Sequence, residues 1–194
     1  MAATTILLCG VGGQGTILAA DLLAKTAAAS GYDVKISEIH GMSQRGGSVT
    51  TVVRFGDEVH SMVCDEGCAH RIVAFELTEA MRNCHYLATS GILLVNDEAI
   101  PSLPVQIGIA TMPENPHRFL EGFGAIMIPA GEIAREVGNP KGTNVVLMGA
   151  LSADLPFSEE IWEQVIRERV PPKTVDINIA AFRAGRKAGK NKIE

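Results

Sequence analysis

The chain has 194 residues, of which 46% are apolar and 20% are charged, and its net charge is −5. A chain of this length buries roughly 70% of its unfolded surface and needs neither a metal nor a disulfide to hold its core, so we predict a single domain over residues 1–194. The acidic balance excludes nucleic-acid binding as the main activity. Without an apolar run of ~18 residues or a basic signal-peptide region, the protein is expected to be cytoplasmic and to make no membrane contact.

The first third of the chain predicts one helix among several strands. Residues 6–9 are apolar and precede glycines, and residues 14–29 carry aliphatic side chains at helical spacing. Residues 34–36 and 48–55 predict further strands because they are rich in β-branched side chains. A turn after the last of these leads us to expect that residues 59–63 pair back on it as an antiparallel strand.

The middle of the chain continues the alternation. Residues 72–75 predict a strand, residues 78–88 a helix, and residues 92–95 a strand that ends at the polar pair Asn96-Asp97. Residues 125–128 predict another strand.

Helices dominate the remainder. We predict helices over residues 132–137, 144–151, 158–169 and 175–187. The third is amphipathic, with Ser158 as its N-cap. The alternation of strands and helices predicts an α/β fold: an open, doubly wound, mostly parallel sheet with helices on both faces, similar to a Rossmann domain.

The first glycine-rich segment has the pattern of a dinucleotide-binding turn. Gly10, Gly12 and Gly15 fit G-x-G-x-x-G between a strand and a helix, where the helix N-terminus holds a pyrophosphate. Glu38 stands where an acidic residue would bind the ribose. A tight strand-to-helix turn without a ligand explains the same glycines.

A second polar, glycine-rich loop covers residues 39–47. In a doubly wound sheet the loops after the first two strands open at the carboxyl edge, where ligands bind. Arg45 suits a bidentate contact with carboxylate or phosphate, although a surface salt bridge is the alternative. His40 is the nearest acid or base candidate, but a structural role in the loop explains it better, so no catalytic residue is assigned.

The cysteines do not indicate a metal site. The residues that would have to form one are Cys64, Cys68, His70, Cys84 and His85. Their spacing fits no known zinc or iron–sulfur pattern, so reduced thiols in the core or in loops are the preferred interpretation, and we expect no metal.

Taken together, the two loops resemble a known family. GVGGQG at residues 10–15, followed by SQRGGS at residues 43–48, is similar to the gamma-type domain of the 2-oxoacid:ferredoxin oxidoreductases. The similarity continues through residues 128–130, 144–151 and 178–185. Relatives acting on pyruvate and 2-oxoglutarate usually carry Gly-Pro-Glu before Arg-Gly-Gly, whereas this chain has GMSQ at residues 41–44, like members that act on aryl 2-oxoacids such as indolepyruvate.

The resemblance implies that the cofactors and the chemistry belong to a different subunit of the enzyme. A larger alpha subunit would hold thiamine diphosphate, Mg²⁺ and [4Fe–4S] clusters, and the complex would oxidise an aryl 2-oxoacid to an acyl-CoA, using coenzyme A and ferredoxin. This chain lacks the Gly-Asp-Gly motif for thiamine diphosphate and a cysteine set for a cluster. It is therefore expected to bind no cofactor and to be inactive alone; whether it then forms a homodimer stays open.

On this interpretation the two loops face the alpha subunit and help to close the active site around the cofactor, the substrate or coenzyme A. The loop residues are Gly10, Gly12, Gly13, Gln14, Gly15, Ser43, Gln44, Arg45, Gly46 and Gly47. Two alternatives remain: a stand-alone Rossmann enzyme using a nicotinamide or a flavin, and a purely structural assembly subunit whose glycines serve packing.

Overall fold

A six-stranded sheet forms the centre of the protein. The computed structural model describes residues 3–40 and 47–193, with only the backbone for His40 and Leu103. The strands are β1 (Thr4–Val11), β2 (Asp33–His40), β3 (Ser48–Gly56), β4 (Ala69–Ala74), β5 (Leu87–Asn96) and β6 (Ile126–Ile128). Their order is β2-β3-β1-β4-β5-β6. Strands β1, β4, β5 and β6 are parallel, whereas β3 is antiparallel to both of its neighbours, β1 and β2.

Helices cover both faces of the sheet, as predicted. They are α1 (Thr16–Ala29), α2 (Leu77–Asn83), α3 (Leu103–Gln106), α4 (Pro116–Glu121), α5 (Ala130–Glu136), α6 (Thr143–Ser152), α7 (Glu159–Arg169) and α8 (Val175–Ile193). The larger core joins one face to α1, α5, α6, α7 and α8, and the smaller core joins the other face to α2 and α4. Strand β1 lies between the two cores, which is why its sequence is a continuous apolar run.

The hydroxyl of Ser158 caps α7, as predicted, by accepting a hydrogen bond from the Ile161 N–H. The same helix places Trp162, which is fully buried and stacked on Phe182 of α8 with ring centroids 5.6 Å apart. The final helix continues six residues beyond its predicted end, to Ile193. In the described ranges no helix is both long and apolar enough to cross a membrane.

The predicted antiparallel strand over residues 59–63 is wrong. Strand β3 is hydrogen-bonded to β1 on one side and to β2 on the other, so it has no free edge for another strand. The segment instead runs irregularly across the sheet, where the carbonyl oxygens of Val59 and Ser61 accept hydrogen bonds from Lys35 and Arg54.

The helix predicted over residues 78–88 is too long. Helix α2 ends at Asn83, a 3₁₀ turn follows over Cys84–Tyr86, and β5 begins at Leu87. Gly91 therefore lies inside β5, where a Cβ would come within 2.9 Å of the Ala69 carbonyl oxygen. The close approach of β4 explains why this strand contains a glycine.

Glycines allow α6 and α8 to pack in backbone contact. A Cβ at Gly149 would overlap the Phe182 carbonyl oxygen, and a Cβ at Gly185 would overlap the Val146 carbonyl oxygen. Larger residues at these positions would force the two helices apart.

We therefore expect Gly185→Ala to lower the free energy of unfolding by ~1–3 kcal/mol in urea denaturation, because the added methyl group has no space. Lys187→Ala, an exposed change on the same helix, is the control and should stay within about 0.5 kcal/mol of wild type. Helix propensity alone favours alanine over glycine by about 1 kcal/mol, so a more stable Gly185→Ala would contradict the tight contact.

Candidate functional site

The glycine turn after β1 and the residue before β3, Gly47, meet at the carboxyl edge of the sheet. Strands β1 and β2 are both antiparallel to β3, so they run in the same direction and end at the same edge. The Gly12 N–H donates a hydrogen bond to the Gly47 carbonyl oxygen across 2.8 Å. The turn after β1 is thereby joined to the end of the loop after β2.

Part of the predicted site lies outside the described residues. This applies to Ser43, Gln44, Arg45 and Gly46, and to the side chain of His40. The described members are Gly10, Gly12, Gly13, Gln14, Gly15 and Gly47, and these the structure brings together around the end of β1.

The glycines of the first loop have different roles. Gly10 lies within β1, where a Cβ would come within 2.8 Å of the Phe75 Cβ, so it permits close packing. Gly15 precedes α1 with φ +81°, and a Cβ there would come within 2.5 Å of the Asn144 side chain. Gly13 has φ +104° with open space around it, so it is the position at which another molecule can approach the backbone.

The side chain of Gln14 stabilises the turn through two hydrogen bonds. Its Oε1 accepts a hydrogen bond from the Val11 N–H at 2.7 Å, and its Nε2 donates to the Phe75 carbonyl oxygen at 3.0 Å. That oxygen also accepts a hydrogen bond from Asn96, whose own side-chain oxygen accepts from the Ala130 N–H. The amides of Gln14 and Asn96 thus tie together the ends of β1, β4 and β5.

A cleft of about 470 Å³ lies between the glycine turn and the end of the β2–β3 pair. Its lining consists of Gly12, Gly13, Gly15, Thr16, Ile17, Glu38 and Val49. The lining is mainly apolar, and Ile17 exposes its side chain there. A mainly apolar cleft beside exposed backbone is typical of a surface that binds another molecule.

This arrangement differs from a dinucleotide site in two respects. There the strand carrying the acidic residue lies next to the strand that leads into the glycine turn. Here β3 separates β1 from β2, which places Glu38 two strand spacings away, about 10 Å. The Gly12 N–H is also already bonded to Gly47 and is not free for a phosphate. These two features count against a nicotinamide or flavin site.

A second cleft, of about 320 Å³, lies on the other side of the turn, between α2 and residues 100–113. Three charged side chains of α2 and its N-cap line it: Glu76, Glu79 and Arg82. Both carboxylates are almost fully buried. Glu76 caps the helix through the Glu79 N–H and accepts a second bond, at 3.4 Å, from the Ile100 N–H.

Sequence reasoning missed these three residues. Glutamate and arginine at three-residue intervals normally indicate the exposed side of a helix. The available signal was the position of Glu76 directly after a buried strand, at an edge where ligands bind.

Cys9 lies beneath the turn and is not a nucleophile. Burial, together with the charges of Glu79 and Glu76, raises the pKa of the Cys9 thiol well above its ordinary value. The thiol donates to the Glu79 carbonyl oxygen at 3.6 Å. All four cysteines are free, and the part of the chain described holds no cluster of histidine, cysteine and carboxylate side chains that would bind a metal.

The fold is similar to that of two solved structures. The gamma subunit of keto/oxoacid ferredoxin oxidoreductase from Geobacter sulfurreducens has a TM-score of 0.71 and 25% identity, over 96% of this chain and 98% of that chain. A 2-oxoglutarate:ferredoxin oxidoreductase from Magnetococcus marinus, solved with 2-oxoglutarate, coenzyme A and succinyl-CoA, shares the fold with a TM-score of 0.74 and 22% identity. That match covers 97% of this chain and 31% of that one.

The sequence comparisons give the family. The profile of the pyruvate ferredoxin/flavodoxin oxidoreductase family matches residues 5–188. Indolepyruvate oxidoreductase subunit IorB from Thermococcus kodakarensis is 45% identical, over 97% of this chain and 96% of that protein. The chain belongs to the pyruvate ferredoxin/flavodoxin oxidoreductase family, as its glycine motifs indicated. It is a subunit of an oxidoreductase complex of this family.

The structure predicts different costs for alanine at two glycines of the turn. Gly13→Ala should lower the free energy of unfolding by about 1–2 kcal/mol, because the positive φ is the only source of strain for the added side chain. Gly15→Ala should lower the free energy of unfolding by more, because its methyl group also meets the buried Asn144. Urea denaturation of both variants measures the difference, and equal losses would show that Asn144 does not constrain the turn.

Proposed function

We propose that this chain is the small subunit of an indolepyruvate:ferredoxin oxidoreductase. The observation that carries the proposal is the near full-length similarity to the Thermococcus subunit, together with the resemblance of both loops to the aryl 2-oxoacid members of the family. The reaction converts an aryl 2-oxoacid, coenzyme A and two oxidised ferredoxins into an aryl acyl-CoA, CO₂, two reduced ferredoxins and a proton.

In this proposal the chemistry belongs to a larger alpha subunit. That subunit holds thiamine diphosphate, Mg²⁺ and [4Fe–4S] clusters, which supply the decarboxylation and the path for two electrons. Ferredoxin and coenzyme A meet this chain only in the assembled complex, in the cytoplasm. The bound coenzyme A and oxoacid in the Magnetococcus enzyme are consistent with such a complex.

The carboxyl edge of the sheet is the surface that we assign to this contact. Gly13 presents backbone without a side chain, and the cleft beside it has a mainly apolar lining that includes Ile17. A protein surface that covers this edge excludes water, which protects reactive intermediates from side reactions. Gln14 fixes the shape of the turn, so the edge is formed before the subunits meet.

Arg45 and Gln44 supply polar contacts to the same region in this proposal. The support for this role is their position in the loop that ends at Gly47, which is bonded to the turn. Arginine suits the carboxylate and phosphate groups of an oxoacid, thiamine diphosphate and coenzyme A.

Reconstitution tests the subunit assignment. Indolepyruvate-dependent and coenzyme A-dependent reduction of an electron acceptor, measured without oxygen, should appear only when this chain and the alpha subunit are mixed. Each subunit alone should be inactive. Full activity of the alpha subunit alone, with tight binding of a nicotinamide or flavin dinucleotide by this chain, would contradict the proposal and favour a stand-alone enzyme.

In the reconstituted complex, Arg45→Ala should lower kcat/KM by about 10- to 100-fold, since a hydrogen bond to a charged group contributes about 1.5–3 kcal/mol. Arg167→Ala is the control, because Arg167 lies on α7 and pairs with Glu163. Unchanged assembly and unchanged turnover in Arg45→Ala would remove Arg45 from the site. Impaired assembly with normal turnover per complex would favour the purely structural subunit.

A further inference from the structure

Glu79 is a buried carboxylate whose two oxygens bind different parts of the protein. The residue is only 2% exposed. Its Oε1 accepts a hydrogen bond from Arg82 Nη1, three residues later on α2, at 2.7 Å. Its Oε2 accepts one from the hydroxyl of Ser48, the first residue of β3, at 2.5 Å. One side chain therefore connects α2 to the start of β3.

The connection continues to the glycine turn. Ser48 directly follows Gly47, whose carbonyl oxygen accepts the hydrogen bond from Gly12. Ser48 is also the last rung of the β1–β3 ladder, opposite Val11. Because ladder ends open most easily, a side-chain bond at this rung determines how firmly the neighbouring Gly12–Gly47 bond stays closed.

Arg82 connects the same carboxylate to the second cleft. Its side chain is 56% exposed and lines that cleft, and the bond to Glu79 fixes the direction of its guanidinium group. Glu79 thus lines the second cleft itself and bonds the residue next to Val49, which lines the first.

We infer that Glu79 is a positioning residue for the carboxyl edge. It holds the start of β3 against α2, and through Gly47 it holds the glycine turn in the shape that the alpha subunit meets. The consequence for turnover rests on the proposed function, whereas the consequence for the turn belongs to this chain alone. Because Arg82 is 56% exposed, Glu79→Gln leaves its charge in contact with water, so the effect is expected in local order more than in the midpoint of unfolding.

The chain contains a matched control for this residue. Glu163 on α7 is also nearly buried, at 7% exposure. Its carboxylate bonds Arg167 four residues later at 3.0 Å, and a partner on another element, Arg183, at 2.6 Å. It contacts neither cleft. Glu163→Gln therefore reproduces the loss of a buried ion pair without disturbing the carboxyl edge.

Amide hydrogen exchange of the full chain, followed by NMR, tests the local effect. Glu79→Gln should speed exchange of the Gly12 amide by about ten-fold, and Glu163→Gln should leave it unchanged. The Gly31 amide, bonded to the Ala28 carbonyl oxygen at the far end of α1, serves as an internal reference. Ser48→Ala removes only the hydroxyl and gives the same readout if Glu79→Gln does not fold. An unchanged Gly12 rate in the folded variants overturns the inference.

Turnover in the reconstituted complex tests the functional effect. Glu79→Gln and Ser48→Ala should each lower kcat about ten-fold or more, because small displacements at an active site are costly. The variant that carries both substitutions should have a kcat no lower than that of the more impaired single variant. Glu163→Gln should keep the wild-type kcat. Faster Gly12 exchange with an unchanged kcat overturns the positioning role. If the wild-type complex is inactive, the proposed function fails, while the exchange experiment still decides what Glu79 does to the turn.

Discussion

The pairing of β3 between β1 and β2 determines the arrangement at the carboxyl edge. Each of the two ladders pairs every residue of an eight-residue strand with β3. Two antiparallel pairings in succession leave β1 and β2 running the same way, so both strands end at the same edge of the sheet. The inserted strand also increases the distance between the glycine turn and Glu38. The position of β3 between β1 and β2 thus explains why a sequence that fits the nucleotide-binding pattern forms a backbone contact between Gly12 and Gly47 instead.

The sequence predicted most elements but not this pairing. β1 was predictable because a strand covered on both faces must be apolar throughout, and the start of α7 was predictable because Ser158 has a local capping role. By contrast, the sequence of β3 shows that it is a strand without showing its partners, because pairing depends on residues distant in the chain. The error over residues 59–63 has the same origin: the turn after β3 suggested a hairpin, while both edges of β3 were already occupied.

Some residues of the candidate site could likewise be predicted from the sequence, and others could not. The glycines of the turn were predictable, because positive φ values and close backbone approaches need glycine, as at Gly15. Gln14 was expected to face a ligand or a partner; its side-chain amide bonds the Val11 N–H and the Phe75 carbonyl oxygen. Glu79 of α2 could not be found from the pattern, because a buried glutamate has the same sequence spacing as an exposed one. Its partner Ser48 lies 31 residues away in the chain, and only the folded protein shows the contact.

The position of the single tryptophan has a practical consequence for studies of assembly. Trp162 is stacked on Phe182 within the helical core, on the side of the molecule formed by α7 and α8. Its fluorescence therefore reports global unfolding, and it should be insensitive to the docking of a second subunit at the carboxyl edge. Chain integrity and complex formation can accordingly be monitored in one sample, with intrinsic emission for the first and an extrinsic dye near the turn for the second.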